Sequence, residues 1–202
     1  MERKDLRLLW GWPVYLILFF LSERLIPGDS CAPVRCPLDD RIPFCEWFLI
    51  PYISWYPLIA GSLLWFLRRD RTAFRRLQIY ILITQVIGLG CFFLLPTRQD
   101  LRPAVFPRDN ILTRLTGLLY AVDTPTGVCP SMHAAWSLAL ICTWTKKKDA
   151  PLLWREFVTV WCVLICASVV FIKQHSALDI LAAIPVGLIA EGAVYFHLQK
   201  GK

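Results

Sequence analysis

Long hydrophobic runs alternate with shorter polar stretches along the 202-residue chain. A helix that crosses a bilayer needs about 20 predominantly apolar residues, and six runs come close to that length. The six predicted spans cover residues 6–25, 48–67, 77–95, 131–145, 153–172 and 177–198. The pattern therefore predicts an all-α polytopic membrane protein built as a six-transmembrane-helix bundle.

Two segments refine this prediction. In the third loop, apolar residues recur at helical spacing from Ile111 to Val122, which predicts an interfacial helix that ends in a cluster of turn formers at 123–127. The fourth span, residues 131–145, would extend only about 22 Å against a hydrocarbon core of about 30 Å. We therefore expect its outer end to lie below the lipid surface.

Composition and charge agree with residence in a membrane. The chain is 56% hydrophobic and 18% charged, a balance that soluble domains rarely show. A net charge of +7 would suggest nucleic-acid binding in a soluble protein, but here the Lys and Arg residues cluster beside the hydrophobic runs. Cytoplasmic N- and C-termini place most of them on the inner side, as the positive-inside rule favours. We expect one membrane-embedded domain over residues 1–202 and no nucleic-acid partner.

Two of the three histidines lie at the outer ends of predicted spans, where ionisable groups are costly and tend to mark functional sites. His175 is followed four residues later by Asp179, so both would share one helix face. A carboxylate there fixes the imidazole tautomer and makes the other ring nitrogen a better nucleophile. His133 would act as general acid and then as general base. The third histidine, His197, is expected at the opposite membrane face.

The same residues have other interpretations. A single membrane histidine is structural about as often as functional, and His175 with Asp179 could be a hydrogen-bonded helix end. Two imidazoles and a carboxylate are also a common ligand set for metal ions. Neighbouring Arg and Lys residues would repel a divalent ion, however, so we expect no metal and no cofactor.

The motifs resemble those of the type 2 phosphatidic acid phosphatase superfamily, which end in Arg-Pro, in Pro-Ser-x-His and in His-x-x-x-Asp. The matching residues are Arg102-Pro103, then Pro130-Ser131-Met132-His133, then Ser168 followed by His175 and Asp179. Their order and spacing match over residues 96–179. The resemblance implies a six-helix bundle, with the site at the outer ends of spans three, four and six.

Two cations of the superfamily pattern are missing. Leu95 stands where the first motif has Lys, and Val169 stands where the third motif has Arg. The pattern is similar to the branch that contains the sphingomyelin synthases and the inositol phosphorylceramide synthases. A head-group transferase therefore remains an alternative.

A phosphate in this site needs positive charge, because its transition state spreads negative charge over the equatorial oxygens. By motif position Arg102 is the first candidate, and its guanidinium suits bidentate phosphate contact. Arg98 and Lys173 are further candidates. The alternative is that both are surface cations without a role in phosphate binding. Ser131 would add a hydroxyl or a backbone N–H at a helix start.

Together these features predict a metal-independent lipid phosphatase that works through a phosphohistidine. Its substrate would be a phosphate monoester or diphosphate of a phospholipid or isoprenoid lipid, at the outer face of a bacterial-type plasma membrane. The first alternative is a head-group phosphotransferase of the sphingomyelin or inositol phosphorylceramide synthase type, which would use the same residues. An alternative of another class is a non-catalytic membrane receptor or transport protein.

Overall fold

A computed structural model of the chain describes residues 3–197. Its α-helices are α1 (Arg3–Leu8), α2 (Gly11–Leu25), α3 (Pro37–Arg41), α4 (Leu49–Arg69), α5 (Arg71–Leu94), α6 (Ile111–Val122), α7 (Met132–Lys146), α8 (Leu152–Phe171) and α9 (Ala177–Gly192), which continues into a π-helical turn at Ala193–His197. Two short strands, β1 (Ala32–Pro33) and β2 (Thr97–Arg98), pair in parallel. The predicted helical fold is confirmed.

Within residues 3–197, five helical segments are long and apolar enough to cross a membrane. They are Asp5–Leu25, Glu46–Arg69, Arg71–Leu94, Leu152–Phe171 and Ala177–Phe196. Each overlaps one predicted span, although the third starts six residues earlier than predicted and the predicted end at residue 198 lies outside the described residues. The remaining prediction, the fourth span, corresponds to α7, whose 15 residues are too few for this criterion.

α7 lies at the centre of the bundle, where it packs against α5, α8 and α9. Its side chains Ala139 and Leu140 are completely buried. Gly187 lets α9 approach closely, because a Cβ at this position would lie only 2.9 Å from Leu138 Cδ1 and from the Tyr80 hydroxyl. α7 is therefore enclosed by protein along much of its length. We call the end of the bundle at which α7 and α9 begin the site end, and the opposite end, which holds Lys146, the basic end.

α6 has the bounds that the apolar spacing predicts. Its polar side chains face inward: Thr113 and Thr116 are 2% and 0% exposed. Ile111, Leu118 and Val122 are 64–78% exposed, whereas Leu112 and Leu119 pack against the core. This arrangement would be unfavourable in water and suits a helix whose outer face meets lipid.

The segment between α2 and α4 covers the site end and is anchored at several points. β1 of this segment pairs with β2 of the segment between α5 and α6. Glu46, which is 1% exposed, forms an ion pair with Arg108 at 2.7 Å. The carboxylate of Asp39 in α3 is bonded to the start of α9. These contacts hold the covering segment against the helix starts.

Candidate active site

A cavity of about 440 Å³ opens at the site end between α2, α4, α5 and α7. Most of its lining is aromatic or aliphatic: Trp12, Tyr15, Leu16, Phe19, Phe20, Tyr52, Trp55, Tyr56, Phe92, Leu119, Val122, Val128, Met132 and Trp136. The polar lining consists of Asp123, Thr124, Thr126, His133, Gln174 and His175, and Gly127 completes it. Among the described residues the lining contains no Lys and no Arg. An apolar cavity with a few convergent polar groups is the usual form of a ligand site.

His175 and Asp179 are brought together at the start of α9. His175 Nδ1 lies 3.1 Å from Asp179 Oδ2. The same carboxylate oxygen accepts the N–H of Ser176 at 2.9 Å, which forms part of the capping box of α9. The cap holds the carboxylate in place, and the carboxylate in turn occupies Nδ1 of His175. Nε2 is left for another partner.

His133 lies in the first turn of α7, on the wall of the same cavity. The centres of the two imidazole rings, of His133 and His175, are 5.9 Å apart. His133 packs against the rings of Tyr52 and Trp55, with centroid distances of 4.5 and 4.2 Å. Its Nε2 is buried and has no hydrogen-bond partner among the described residues. This nitrogen is therefore available to a group that enters the cavity.

Ser131 holds the start of α7 from outside the cavity. Its side chain is completely buried, and its Oγ accepts the N–H of Ala134 as the helix N-cap. Its own N–H donates to the backbone carbonyl of Asp179 at 3.0 Å. The predicted phosphate contact of Ser131 remains a prediction, and the observed bonds show it joining the starts of α7 and α9.

Arg102 lies behind the cavity wall. Its guanidinium donates to the backbone carbonyls of Tyr120 at 3.1 Å and Asp123 at 3.0 Å, and to Oε1 of Gln174 at 2.6 Å. It also lies 4.4 Å above the ring centre of Tyr120. Burial lowers the pKa of Arg102, and the negative charge of Asp123 opposes this shift. Arg102 thus reaches the cavity through Gln174, and its predicted phosphate contact remains a prediction.

The other two candidate cations are engaged elsewhere. Arg98 donates to the backbone carbonyl of Gly28 at 2.9 Å and forms an ion pair with Asp100 at 3.3 Å. Lys173 donates from Nζ to two backbone carbonyls of the covering segment, at 2.8 and 2.5 Å. Neither side chain lines the cavity. A phosphate contact from either residue would require these bonds to break.

Sequence reasoning missed two polar residues of the cavity, Asp123 and Gln174. Asp123 Oδ2 accepts a hydrogen bond from Gln174 Nε2 at 2.8 Å. Burial raises the pKa of Asp123, and the nearby charges of Arg102 and His175 oppose the shift. In the sequence Asp123 resembles a turn former, and the one signal for Gln174 is its position directly before His175.

Within residues 3–197, no group of three or more His, Cys, Asp and Glu side chains is arranged to hold a metal ion. His175 Nδ1 is already occupied by Asp179. Independence from metal ions remains a prediction that experiment must test.

Helices of membrane-spanning length surround an apolar cavity that holds two histidines and an aspartate, which defines a helical membrane protein with a candidate ligand site. A family model described as the PAP2 superfamily matches residues 23–193. The chain therefore belongs to the PAP2 superfamily, which confirms the resemblance seen in the motifs. Neither the curated proteins nor the solved structures include a significant match. Membership supports an enzyme of the phosphatase type that acts on a lipid phosphate in the bilayer.

Proposed function

We propose that the protein is a membrane lipid phosphatase that hydrolyses a lipid phosphate monoester or diphosphate. The observation that carries this proposal is the arrangement of the two histidines. His175 is oriented by Asp179 at 3.1 Å, and its ring lies 5.9 Å from that of His133 in one apolar cavity. An oriented nucleophile beside a second group that transfers protons is what covalent phosphoryl transfer needs.

In the first step, the lone pair on Nε2 of His175 attacks the terminal phosphorus, and the bond from phosphorus to the leaving oxygen breaks. Protonated His133 gives its proton to that oxygen, so a monoester releases the lipid alcohol and a diphosphate releases the lipid monophosphate. Asp179 stabilises the positive charge that His175 gains. In the second step, His133 takes a proton from water while the water oxygen attacks phosphorus. The phosphorus–nitrogen bond breaks, its electron pair returns to His175, and inorganic phosphate leaves.

The negative charge on the phosphoryl oxygens must be met by donors around the cavity. Gln174 lines the cavity, and Arg102 donates to its Oε1 at 2.6 Å, which polarises the amide and makes its N–H groups stronger donors. One of these N–H groups already donates to Asp123. Direct phosphate contact by Arg102 would require it to exchange a carbonyl partner for a phosphate oxygen. Thr124 and Thr126 also line the cavity, but the hydroxyl of Thr124 donates to Glu23 and is paired with that of Thr126 at 2.9 Å, so a phosphate would have to replace these partners.

We place six helices across the membrane, with α7 as a short fourth span and α6 at the outer interface. The buried position of α7 among α5, α8 and α9 supports this, because a helix enclosed by protein can be shorter than the lipid is thick. The cationic side chains of Lys146, Lys147 and Arg155 at the basic end support a cytoplasmic location for that end. The active site then faces the outside of a bacterial-type plasma membrane.

Labelling tests this topology. In a cysteine-free variant that retains turnover, single cysteines replace Asp109 and Lys148, two exposed residues near opposite ends of the bundle. A membrane-impermeant maleimide should label the Asp109→Cys variant in intact cells and the Lys148→Cys variant only after permeabilisation. Labelling of both in intact cells would contradict the six-span arrangement.

A head-group phosphotransferase is the second candidate, and the charge of the cavity favours it. Asp123 lines the cavity, whereas Lys and Arg are absent from its described lining. A phosphodiester with one negative charge fits such a lining better than a phosphate dianion does. The aromatic walls would also keep water from the phosphohistidine, which favours a lipid hydroxyl as acceptor.

One assay separates these functions. The purified protein is incubated with phosphatidic acid, an isoprenoid diphosphate, or phosphodiester lipids, each with and without diacylglycerol or ceramide, and each with and without EDTA. A phosphatase releases inorganic phosphate without an acceptor lipid. A transferase produces a new phosphodiester lipid only when the acceptor is present.

The expected result is phosphate release that survives EDTA and is inhibited by vanadate, which adopts the geometry of the transferring phosphoryl group. Loss of turnover in EDTA that zinc or magnesium restores would contradict the phosphohistidine mechanism. Turnover on none of these lipids would favour a receptor or transport protein.

A further inference from the structure

One buried carboxylate connects the covering segment to the start of α9. Asp39 lies in α3 and is 1% exposed. Its Oδ1 accepts the N–H of Ala177 at 2.8 Å, and its Oδ2 accepts the hydroxyl of Ser176 at 2.6 Å. Oδ2 also accepts the N–H of Cys36 at 2.8 Å. Asp39 thus binds two consecutive residues of α9's first turn, 137 and 138 positions away in the chain.

The residues before His175 are held by the same segment. Lys173 Nζ donates to the backbone carbonyls of Asp39 and Ile42 at 2.8 and 2.5 Å. The backbone of Lys173 has a φ of +57°, in the left-handed region that a residue with a Cβ adopts only at an energetic cost. Such conformations persist where the surrounding structure holds them in place. The covering segment therefore forms hydrogen bonds with the chain on both sides of His175.

Ser176 connects Asp39 to the pair formed by Asp179 and His175. Its hydroxyl donates to Asp39 and accepts the N–H of Leu178 at 3.2 Å. Its backbone N–H donates to Asp179 Oδ2 at 2.9 Å, and that oxygen faces His175 Nδ1 at 3.1 Å. Short hydrogen bonds thus run from Asp39 through Ser176 and Asp179 to His175.

We propose that Asp39 is a positioning residue for the reaction: through Ser176 and Ala177 it holds the start of α9 so that Asp179 keeps Nε2 of His175 aimed at phosphorus. The proposal rests on the proposed function, because it takes His175 as the nucleophile. Although burial alone would raise it, the hydrogen bonds from Ala177, Ser176 and Cys36 lower the pKa of Asp39. The carboxylate is therefore ionised when it accepts them, and hydrogen bonds to an ionised acceptor are the strong ones.

Asp39 could instead serve stability alone, and the two roles make different predictions. A structural residue lowers the temperature of unfolding when it is replaced, but the protein that remains folded keeps its kcat. A positioning residue lowers the kcat of the folded protein, because small displacements of a nucleophile cost large factors in rate. KM changes little, since Asp39 does not line the cavity.

The kinetic test uses Asp39→Asn, Ser176→Ala and the double variant in the otherwise unchanged protein. Asp40→Asn is the matched control, because Asp40 is the adjacent carboxylate, is 55% exposed and pairs with Arg35. kcat and KM are measured on the monodisperse fraction from gel filtration. We expect Asp39→Asn to lower kcat on the order of tenfold and to change KM by less than about twofold. Asp40→Asn should leave both unchanged.

The double variant tests whether Asp39 acts through Ser176. Groups in one hydrogen-bond chain are not independent, so the combined loss in kcat should be clearly smaller than the product of the two single losses. Losses that multiply, or an Asp39→Asn variant with lowered stability and unchanged kcat, would overturn the proposal.

A second measurement needs no turnover. Imidazole ¹⁵N chemical shifts of histidine-labelled protein report the tautomer of each neutral ring, and a His175→Gln spectrum assigns the His175 signals. In wild type and Asp40→Asn we expect a single tautomer with the proton on Nδ1, and in Asp39→Asn a mixture of the two. An unchanged tautomer in Asp39→Asn would contradict the positioning role. If no lipid phosphate is turned over, the proposed function fails while this measurement still decides whether Asp39 orients His175.

Discussion

The protein has a cavity at each end of its bundle, and the two are similar in volume but differ in their polar groups. The site-end cavity measures about 440 Å³ and the basic-end cavity about 510 Å³. The basic-end cavity is lined by Pro57, Leu58, Gly61, Ser62, Trp65, Trp144, Ala150, Pro151 and Trp154. The hydroxyl of Ser62 accepts the indole N–H of Trp144 at 3.1 Å, so these two polar groups satisfy each other.

In the site-end cavity, polar atoms remain without partners. Among the described residues these atoms are His133 Nε2 and the indole nitrogens of Trp55 and Trp136. Leaving such atoms buried and unpaired costs stability, and proteins tend to accept that cost where a ligand supplies the missing partner. Volume therefore does not distinguish the two cavities, whereas the polar groups in their linings do.

The largest effect that would test this comparison is expected for His175→Ala. Removing the nucleophile should lower turnover by a factor on the order of 10⁴ or more, because no phosphohistidine can form. Phosphate release from the lipid substrate is the measurement, with gel filtration in detergent as the check on folding. Turnover near that of wild type would show that His175 is not the nucleophile.

His133→Ala should have the next largest effect, and its size should depend on the leaving group. Loss of general-acid help should cost about 10²- to 10⁴-fold on an alkyl phosphate, whose leaving oxygen is strongly basic. The loss should be much smaller on a phenolic phosphate, since a phenolate leaves without a proton. The two substrates are compared in the same variant, and equal losses would argue against proton donation by His133.

Ser62→Ala probes the basic-end cavity. The variant leaves the buried indole N–H of Trp144 without an acceptor, which should cost about 1–2 kcal/mol and lower Tm by about 3–6 °C. Turnover should stay within about twofold of wild type, because nothing in this cavity takes part in the reaction. A large loss of turnover at unchanged Tm would mean that the basic-end cavity is functional as well.

The smallest effect is expected for Asp123→Asn, and it should depend on pH. Burial raises the pKa of Asp123, so the folded protein binds the proton more tightly than the unfolded chain does. This contribution to stability is present at low pH and is lost as pH rises through the folded pKa. A permanently neutral Asn should therefore raise Tm by about 2 °C at neutral pH and by less in acid.

The measurement is the Tm of wild type and of Asp123→Asn from neutral to acid pH. Asp100→Asn is the control, because Asp100 is an exposed carboxylate outside the cavity. A difference that grows toward acid pH would have the wrong sign for a carboxyl group with a raised pKa.

The hydrophobic pattern predicted the helices well because each depends on local composition. α6 has its predicted bounds, and α9 begins at Ala177 as expected. The hydrophobic pattern was less informative for α7, which has only 15 residues. A helix that is enclosed by other helices does not need an apolar run long enough to cross the whole bilayer. Whether α7 counts as a span depends on its neighbours, and spacing along one segment carries no such information.

In the site, too, local spacing predicted some contacts and could not predict others. The contact of His175 with Asp179 was predicted from their spacing of four residues, but the reason differs: α9 begins only at Ala177, and Asp179 reaches back to His175 as the capping carboxylate of the helix. The partners of Arg102 could not be predicted, because Gln174 is 72 residues away and meets it only in the folded chain. Asp39 and Asp123 also escaped notice, since an Asp in a loop is ordinarily a turn former or a helix cap. Their importance arises from tertiary contacts that join distant segments.

The backbone bond from Ser131 to Asp179 has a consequence for how such a protein diversifies. It links the starts of α7 and α9 through main-chain atoms, at 3.0 Å, so this restraint on the spacing of the two histidines does not depend on side-chain identity. Substitutions in the aromatic walls away from Tyr52 and Trp55, which contact His133, can then change which lipid fits while the reacting groups keep their geometry. Selection can act on the preferred substrate and on the chemistry almost independently, and engineering of a new specificity should begin with the walls.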